Sequence, residues 1–458
     1  MKTLVLFCVL LLGGCVANAP FRTGDGQGCG HWRGCGSYYE IHDKYNLGFV
    51  EYSERGNDFN PGQTSALLNK ITQASDAGNI ALVVFVHGWK HNASTLDGNV
   101  ASFKEDLEHL AISKVAGDKK LIGIYIGWRG MSFHGLGLEN LTFWDRKDTA
   151  EEIGRVGVTE FLVRLEDIAA SKKGNFMLTV GHSFGSAILL AALNDTLMHK
   201  MLDQQQGVSV KPFGDGVVLL NPAVEAELGL LLKENSMKVG ALKKPVPSLA
   251  YVISSRADLP TKLAFPVGQF LGVDLTWDQT VLYRNYFGHP YYIQETSLDH
   301  NTIGNYDAFL TGYMSDDIAE ESTALHRANA SLARGIADSP GEIGKASADT
   351  LGDWGFESFC SDDLAKATTQ RLPCFANEPV DFISVPKTFI KDHNDVFNDS
   401  VKSLLSAAVV KSLSEKNDNV PPDYCADGGK FSLGICFAYY YEVNKRITEL
   451  ETAERNAK

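Results

Sequence analysis

The sequence predicts an α/β protein: a mostly parallel, doubly wound sheet with a helical C-terminal extension. Three observations carry this. Ile80 to Val86 is a continuous apolar run (IALVVFV), the pattern of a strand buried on both faces, and similar runs fall at 121–127, 176–180, 217–220 and 249–254. Helical stretches at 63–77, 100–112, 149–171 and 184–197 separate them, and such alternation builds a parallel sheet with helices on both faces. Finally, a serine between two glycines stands at one junction of strand and helix, residues 181–185.

The elements follow in chain order. Residues 1–14 are an export signal, 15–45 an irregular leader rich in Gly, Arg and aromatics, and 46–315 the α/β core, opening with a strand at 47–52. Residues 291–295 read as its last strand. Beyond about 315 the pattern turns polar and helical, giving an extension over 316–458 with helices near 396–416 and 437–456.

The chain has 458 residues, 44% hydrophobic and 21% charged, enough apolar content to bury a core, which excludes wholesale disorder. Its net charge of −14, with no basic run, argues against a nucleic-acid partner. No apolar stretch reaches the roughly 20 residues of a membrane-spanning helix.

The N-terminus reads as an address. Lys2 precedes the apolar run 4–12 and Gly13-Gly14-Cys15, the layout of a secretory signal. Leu12-Gly13-Gly14-Cys15 also resembles the bacterial lipobox, which implies cleavage before Cys15 and a lipid anchor on it; the alternative is an ordinary cut near Ala17-Asn18-Ala19. Val16 after the cysteine implies outer-membrane sorting by analogy. Export makes disulfides the expected state of the remaining cysteines. Their clustering suggests Cys29–Cys35, Cys360–Cys374 and Cys425–Cys436, although six cysteines allow about 15 pairings.

The chemistry centres on Gly181-His182-Ser183-Phe184-Gly185. Residues 177–180 form a strand and 186–190 open a helix, so Ser183 sits on the turn that a nucleophile elbow requires. The developing oxyanion needs donors. Val83 to Val86 ends in His87-Gly88-Trp89, so the backbone N–H groups of Trp89 and Phe184 are the expected pair, with Gly88 letting the chain turn close. His87 is read as ordering this loop.

These pieces resemble the α/β-hydrolase superfamily. More narrowly, residues 85–93 (FVHGWKHNA), 125–130 (YIGWRG), 143–147 (FWDRK) and 220–226 (LNPAVEA) look like a little-characterised group of bacterial esterase/lipase-like hydrolases, over about residues 46–315. The superfamily's chain order is nucleophile, acid, histidine. Asp258, just beyond the 249–254 strand, is the expected acid, with Glu225 as runner-up. Downstream lie His289, His300, His326 and His393. The resemblance implies histidines near 303–306 and 310–312, where this chain has Asn305 and Gly312. His300, shortly after the expected last strand, is taken as the base.

The expectation is a serine hydrolase cleaving lipid or small acyl esters through an acyl-enzyme at the bacterial envelope, with a membrane contact through its anchor. An acyltransferase on the same triad and a non-catalytic envelope lipoprotein are the alternatives. Arg129 is expected to pair with Asp145 or Asp148, and insertions at about 130–148 and 261–285, carrying Phe133, Phe143, Trp144, Phe265, Phe270 and Trp277, to cap the site. No phosphate-cradling glycine motif or metal-spaced histidine pair is present, so neither cofactor nor metal is expected.

Overall fold

The computed structural model describes residues 18–24, 34–131, 143–258, 280–314, 356–360, 371–417, 421–427, 430–431 and 433–457. The expected signal segment, Cys15, Cys29, His326, most of the 261–285 insertion and the polar helix expected after 315 lie outside these residues, as do Phe133, Phe265, Phe270 and Trp277.

Strands β1 (Tyr39–Ile41), β2 (Tyr45–Tyr52), β3 (Ile80–Val86), β4 (Lys120–Trp128), β5 (Phe176–His182), β6 (Gly216–Leu220) and β7 (Ala250–Ser255) are followed by β8 (Val281–Tyr286), β9 (His289–Gln294), β10 (Gly312–Met314), β11 (Phe356–Ser358) and β12 (Val380–Val385). Ten of them form one sheet in the order β1-β2-β4-β3-β5-β6-β7-β12-β10-β11. Its inner pairs are parallel, and the outermost pairs, β1 with β2 and β10 with β11, are antiparallel. This is the α/β class: a mostly parallel sheet between layers of helices.

The period of two along each strand divides the core. On β3, Ile80, Leu82, Val84 and Val86 face one way, packing with Leu67 and Ile71 of α1 (Pro61–Ala77), Phe161 and Leu165 of α4 (Thr159–Ala170) and Ile188 and Leu193 of α5 (Phe184–Gln205). Ala81, Val83 and Phe85 face the other way, toward Phe103 and Leu107 of α2 (Gly98–Ser113). The same layer takes Leu404 and Ala407 of α8 (Asp399–Asn417) and Phe437 and Tyr440 of α9 (Leu433–Ala457). Helices thus cover both faces, which is why the strands read as unbroken apolar runs. After β6 the chain adds α6 (Ala226–Gly240), and between α1 and α5 it adds α3 (Phe143–Ile153), continued by a π-helix over Gly154–Val158. Gly154 permits this close approach: a Cβ there would lie 2.3 Å from the Ile188 carbonyl oxygen of α5.

Two expectations change here. The strand at 291–295 is not in the main sheet: among the described residues β9 pairs with β8, in a separate antiparallel hairpin leading into the short helix α7 (Glu295–Asp299). And the core does not close at 315. β12 pairs in parallel with β7, from Val380↔Ala250 to Val385↔Ser255, so the last third of the chain supplies an inner strand of the sheet as well as two covering helices. Buried Phe382 and Ile383 and the apolar faces of α8 and α9 contribute to the core as any central element does, roughly 1.5–3 kcal/mol for each fully buried large side chain.

Cys360–Cys374 and Cys425–Cys436 are disulfide-bonded. Cys35 is also in a disulfide. Among the described residues no helix is long and apolar enough to cross a membrane.

Candidate active site

Ser183 sits where β5 hands over to α5, with φ 56° and ψ −120°. A non-glycine residue with positive φ is strained, by about 1–3 kcal/mol, and persists only where its surroundings over-determine it. Here they do. The Ser183 N–H donates to the Leu220 carbonyl at 3.0 Å, and its own carbonyl accepts from the N–H groups of Ser186 at 3.0 Å and Ala223 at 3.3 Å. Ser186 Oγ–H closes the turn by donating to the Gly181 carbonyl at 2.8 Å.

The flanking glycines have a steric reason. A Cβ on Gly185 would stand 2.0 Å from the Val86 carbonyl oxygen, because the end of β3 crosses directly over the elbow. A Cβ on Gly88 would stand 2.7 Å from Ser183 Cβ. The chain leaving β3 is therefore pressed against the serine, and Trp89 and Phe184, the expected oxyanion donors, are the next residues along the two abutting segments. Neither backbone N–H donates a hydrogen bond among the described residues. Phe143 at the start of α3 packs its ring on both, with centroids 5.2 Å from Trp89 and 4.8 Å from Phe184.

His87 orders this loop. It is fully buried, with Nδ1–H donating to the Gly88 carbonyl at 2.9 Å and Nε2 accepting from the Trp128 N–H at 3.1 Å. The Trp128 indole N–H returns to the His87 carbonyl at 2.9 Å. Burial pushes the His87 imidazole down to about 4, so the ring is neutral at physiological pH.

Beyond the carboxyl end of β7, Asp258 is completely buried. Its partner is His393, not His300. His393 Nδ1–H donates to Asp258 Oδ2 at 2.9 Å, and His393 Nε2 accepts from Ser183 Oγ–H at 2.7 Å. The rule that sites gather at the carboxyl ends of parallel strands holds; the strand to which it applies is β12, eight residues before His393. His300 instead caps the short helix α7, with its N–H on the Thr296 carbonyl at 3.0 Å. The neighbouring Asn301 and Thr302 pair with Ala226 and Glu225. His289 belongs to the separate hairpin.

Glu225 forms an ion pair with Lys147 at 2.8 Å and burial raises its carboxyl pKa; the two ring nitrogens of His393 bond Asp258 and Ser183. Arg129 and Arg146 both pair with Glu54, a loop anchor the sequence reading did not name, and Arg146 also pairs with Asp145. The residues at the centre are nearly sealed: Ser183 is 2% exposed and His393 9%.

No family model matches the chain, and no curated protein matches it either. Among solved structures it is similar to a phospholipase, PlaB from Legionella pneumophila in complex with thio-NAD, at 15% identity and a TM-score of 0.24. That likeness covers 46% of this chain and 48% of the other, about half the length of each.

The centre brings together a strained serine, an imidazole within hydrogen-bond reach, a carboxylate fixing the imidazole's tautomer, and the backbone N–H groups of Trp89 and Phe184 alongside. A base in this position removes the serine proton as oxygen attacks a carbonyl, and a carboxylate on the far nitrogen stabilises the resulting cation.

Of the residues the sequence singled out, Ser183 and Asp258 are brought together, through His393, which the sequence reading passed over in favour of His300. Signals for His393 were present. Val380-Asp381-Phe382-Ile383-Ser384-Val385 is a short β-rich run ended by Pro386, and His393 follows within the Lys391-Asp392-His393-Asn394-Asp395 turn.

Proposed function

We propose that this protein is a serine hydrolase acting on carboxylic esters, with Ser183 as nucleophile, His393 as general base and Asp258 as its orienting acid. The observation that supports this best is the continuous hydrogen-bonded line from Ser183 Oγ through the His393 ring to Asp258 Oδ2. Ser183 Oγ attacks the ester carbonyl while His393 Nε2 takes its proton, and a C–O bond forms as negative charge moves to the carbonyl oxygen. The N–H groups of Trp89 and Phe184 receive that charge. Protonated His393 then gives its proton to the departing alcohol, leaving an acyl-serine. Water, deprotonated by the same nitrogen, releases the acid and restores Ser183.

Lipid or small acyl esters are the proposed substrates, and the aromatic group Trp89, Phe143 and Phe184 beside the serine suits an apolar acyl portion. The place of action is proposed to be the bacterial envelope, with the chain exported and held by a lipid on Cys15. An imidazole at 2.7 Å from Ser183 Oγ favours the catalytic reading over a non-catalytic lipoprotein. The test is release of acid from p-nitrophenyl esters of increasing chain length. Turnover is expected from the wild type and not from Ser183→Ala; equal turnover by both sets the proposal aside.

A further inference from the structure

His393 lies on a connection with no regular structure, between β12 and α8. A base on such a loop aligns with its nucleophile only if the loop's main chain is fixed. Asn398 closes the loop on itself, its Nδ2 donating to the carbonyls of Phe389 at 2.7 Å and Asp395 at 2.8 Å. The contacts that fix this loop come from the ends of three strands, two of them on residue 393 itself. His182, the last residue of β5, donates Nε2–H to the His393 carbonyl at 2.8 Å. Asn221, just past β6, donates Nδ2–H to the same oxygen at 3.1 Å and accepts the Ser255 N–H on its Oδ1 at 2.9 Å. Ser255, ending β7, donates Oγ–H to the Ile390 carbonyl at 2.7 Å. All three side chains are buried.

His182 bears a cost that packing alone does not explain. With the proton on Nε2, its Nδ1 is a bare acceptor, and that atom is buried with no hydrogen-bond partner among the described residues. Gly88 is pressed against it, a Cβ there falling 3.2 Å away. Leucine or phenylalanine would fill the space with nothing left unsatisfied. What an apolar side chain lacks is the donor. The His182 ring also packs against that of His393, centroids 5.1 Å apart. Burial and the neighbouring His393 hold His182 well below the usual imidazole range, so it brings no second positive charge to the base.

We propose that His182 is a positioning residue: with Asn221 it clamps the main-chain carbonyl of His393 and so keeps that imidazole in line with Ser183 and Asp258. The inference rests on reading Ser183, His393 and Asp258 as a triad. It assigns a role to the residue immediately before the nucleophile.

The test uses the full chain with His182→Leu, which removes the donor, and His182→Gln, which keeps an N–H at similar reach. Two readouts are taken on folded protein. One is the low-field proton resonance of the His393 Nδ1–H bonded to Asp258, assigned by its loss in His393→Gln. The other is the rate of reaction with a fluorophosphonate. His182→Leu is expected to lose or broaden the resonance and to slow labelling about 100-fold, and His182→Gln to recover most of both. If His182→Leu does not fold, His182→Asn, too short to reach the carbonyl, replaces it. A folded donor-less variant with an unchanged resonance overturns the clamp. A wild type that is never labelled, but whose resonance disappears with the donor, supports the clamp and overturns the hydrolase reading.

Discussion

His393 Nε2 lies 2.7 Å from Ser183 Oγ although 210 residues separate them in the chain. The approach is made by the sheet. β5 carries the serine to its carboxyl end, β6 and β7 lie next in order, and β12 inserts beside β7 so that the loop leaving it folds back over the same edge. The last third of the chain is thus part of the site's construction.

The close passage of β3 over the elbow predicts different outcomes at two glycines. Gly185→Ala drives a methyl group into the Val86 main chain, where no flexible side chain can give way, and is expected to lower stability by about 1–3 kcal/mol. Gly88→Ala meets Ser183 and the His182 carbonyl at the outer face of the elbow. It is expected to lower kcat by about 100-fold through displacement of the Trp89 N–H. Denaturant midpoints and ester turnover on both variants check this; a fully active and stable Gly88→Ala contradicts the crossing.

The neutral His87 makes stability depend on pH in a calculable direction. Its pKa is about 4 when folded, against 6.5 for an unperturbed imidazole. Between these values the unfolded chain binds the extra proton, so this residue's contribution falls as pH drops from 6.5 toward 4. At about 1.4 kcal/mol per pH unit the full loss is about 3 kcal/mol. Glu51, raised to about 7 by burial, works in the opposite direction, so the informative quantity is the difference between wild type and His87→Gln. That difference, from urea midpoints at pH 7 and pH 4.5, is expected to shrink on acidification. A pH-independent difference contradicts a neutral buried His87.

Much of this was legible from sequence, for definite reasons. Central strands buried on both faces leave apolar runs, so β3 to β7 were readable to within a few residues. The elbow was readable because Gly185 and Gly88 answer to contacts that tolerate no Cβ. What was not legible depends on pairing between distant segments. Tyr291-Tyr292-Ile293 has the same pattern in a hairpin as in a central sheet, and nothing local shows that its partner is β8. β12 is interrupted by Asp381 and Ser384, which masks it as a buried strand although Val380, Phe382, Ile383 and Val385 are all inside. The histidine was consequently sought after the wrong strand.

The most direct measurement is labelling of the full chain with a fluorophosphonate, read by intact mass and peptide mapping, in parallel for wild type, Ser183→Ala, His300→Ala and His393→Ala. One adduct on Ser183 is predicted in the wild type and in His300→Ala, and none in Ser183→Ala or His393→Ala. An adduct that persists in folded His393→Ala, or that disappears with His300→Ala alone, contradicts the triad described here.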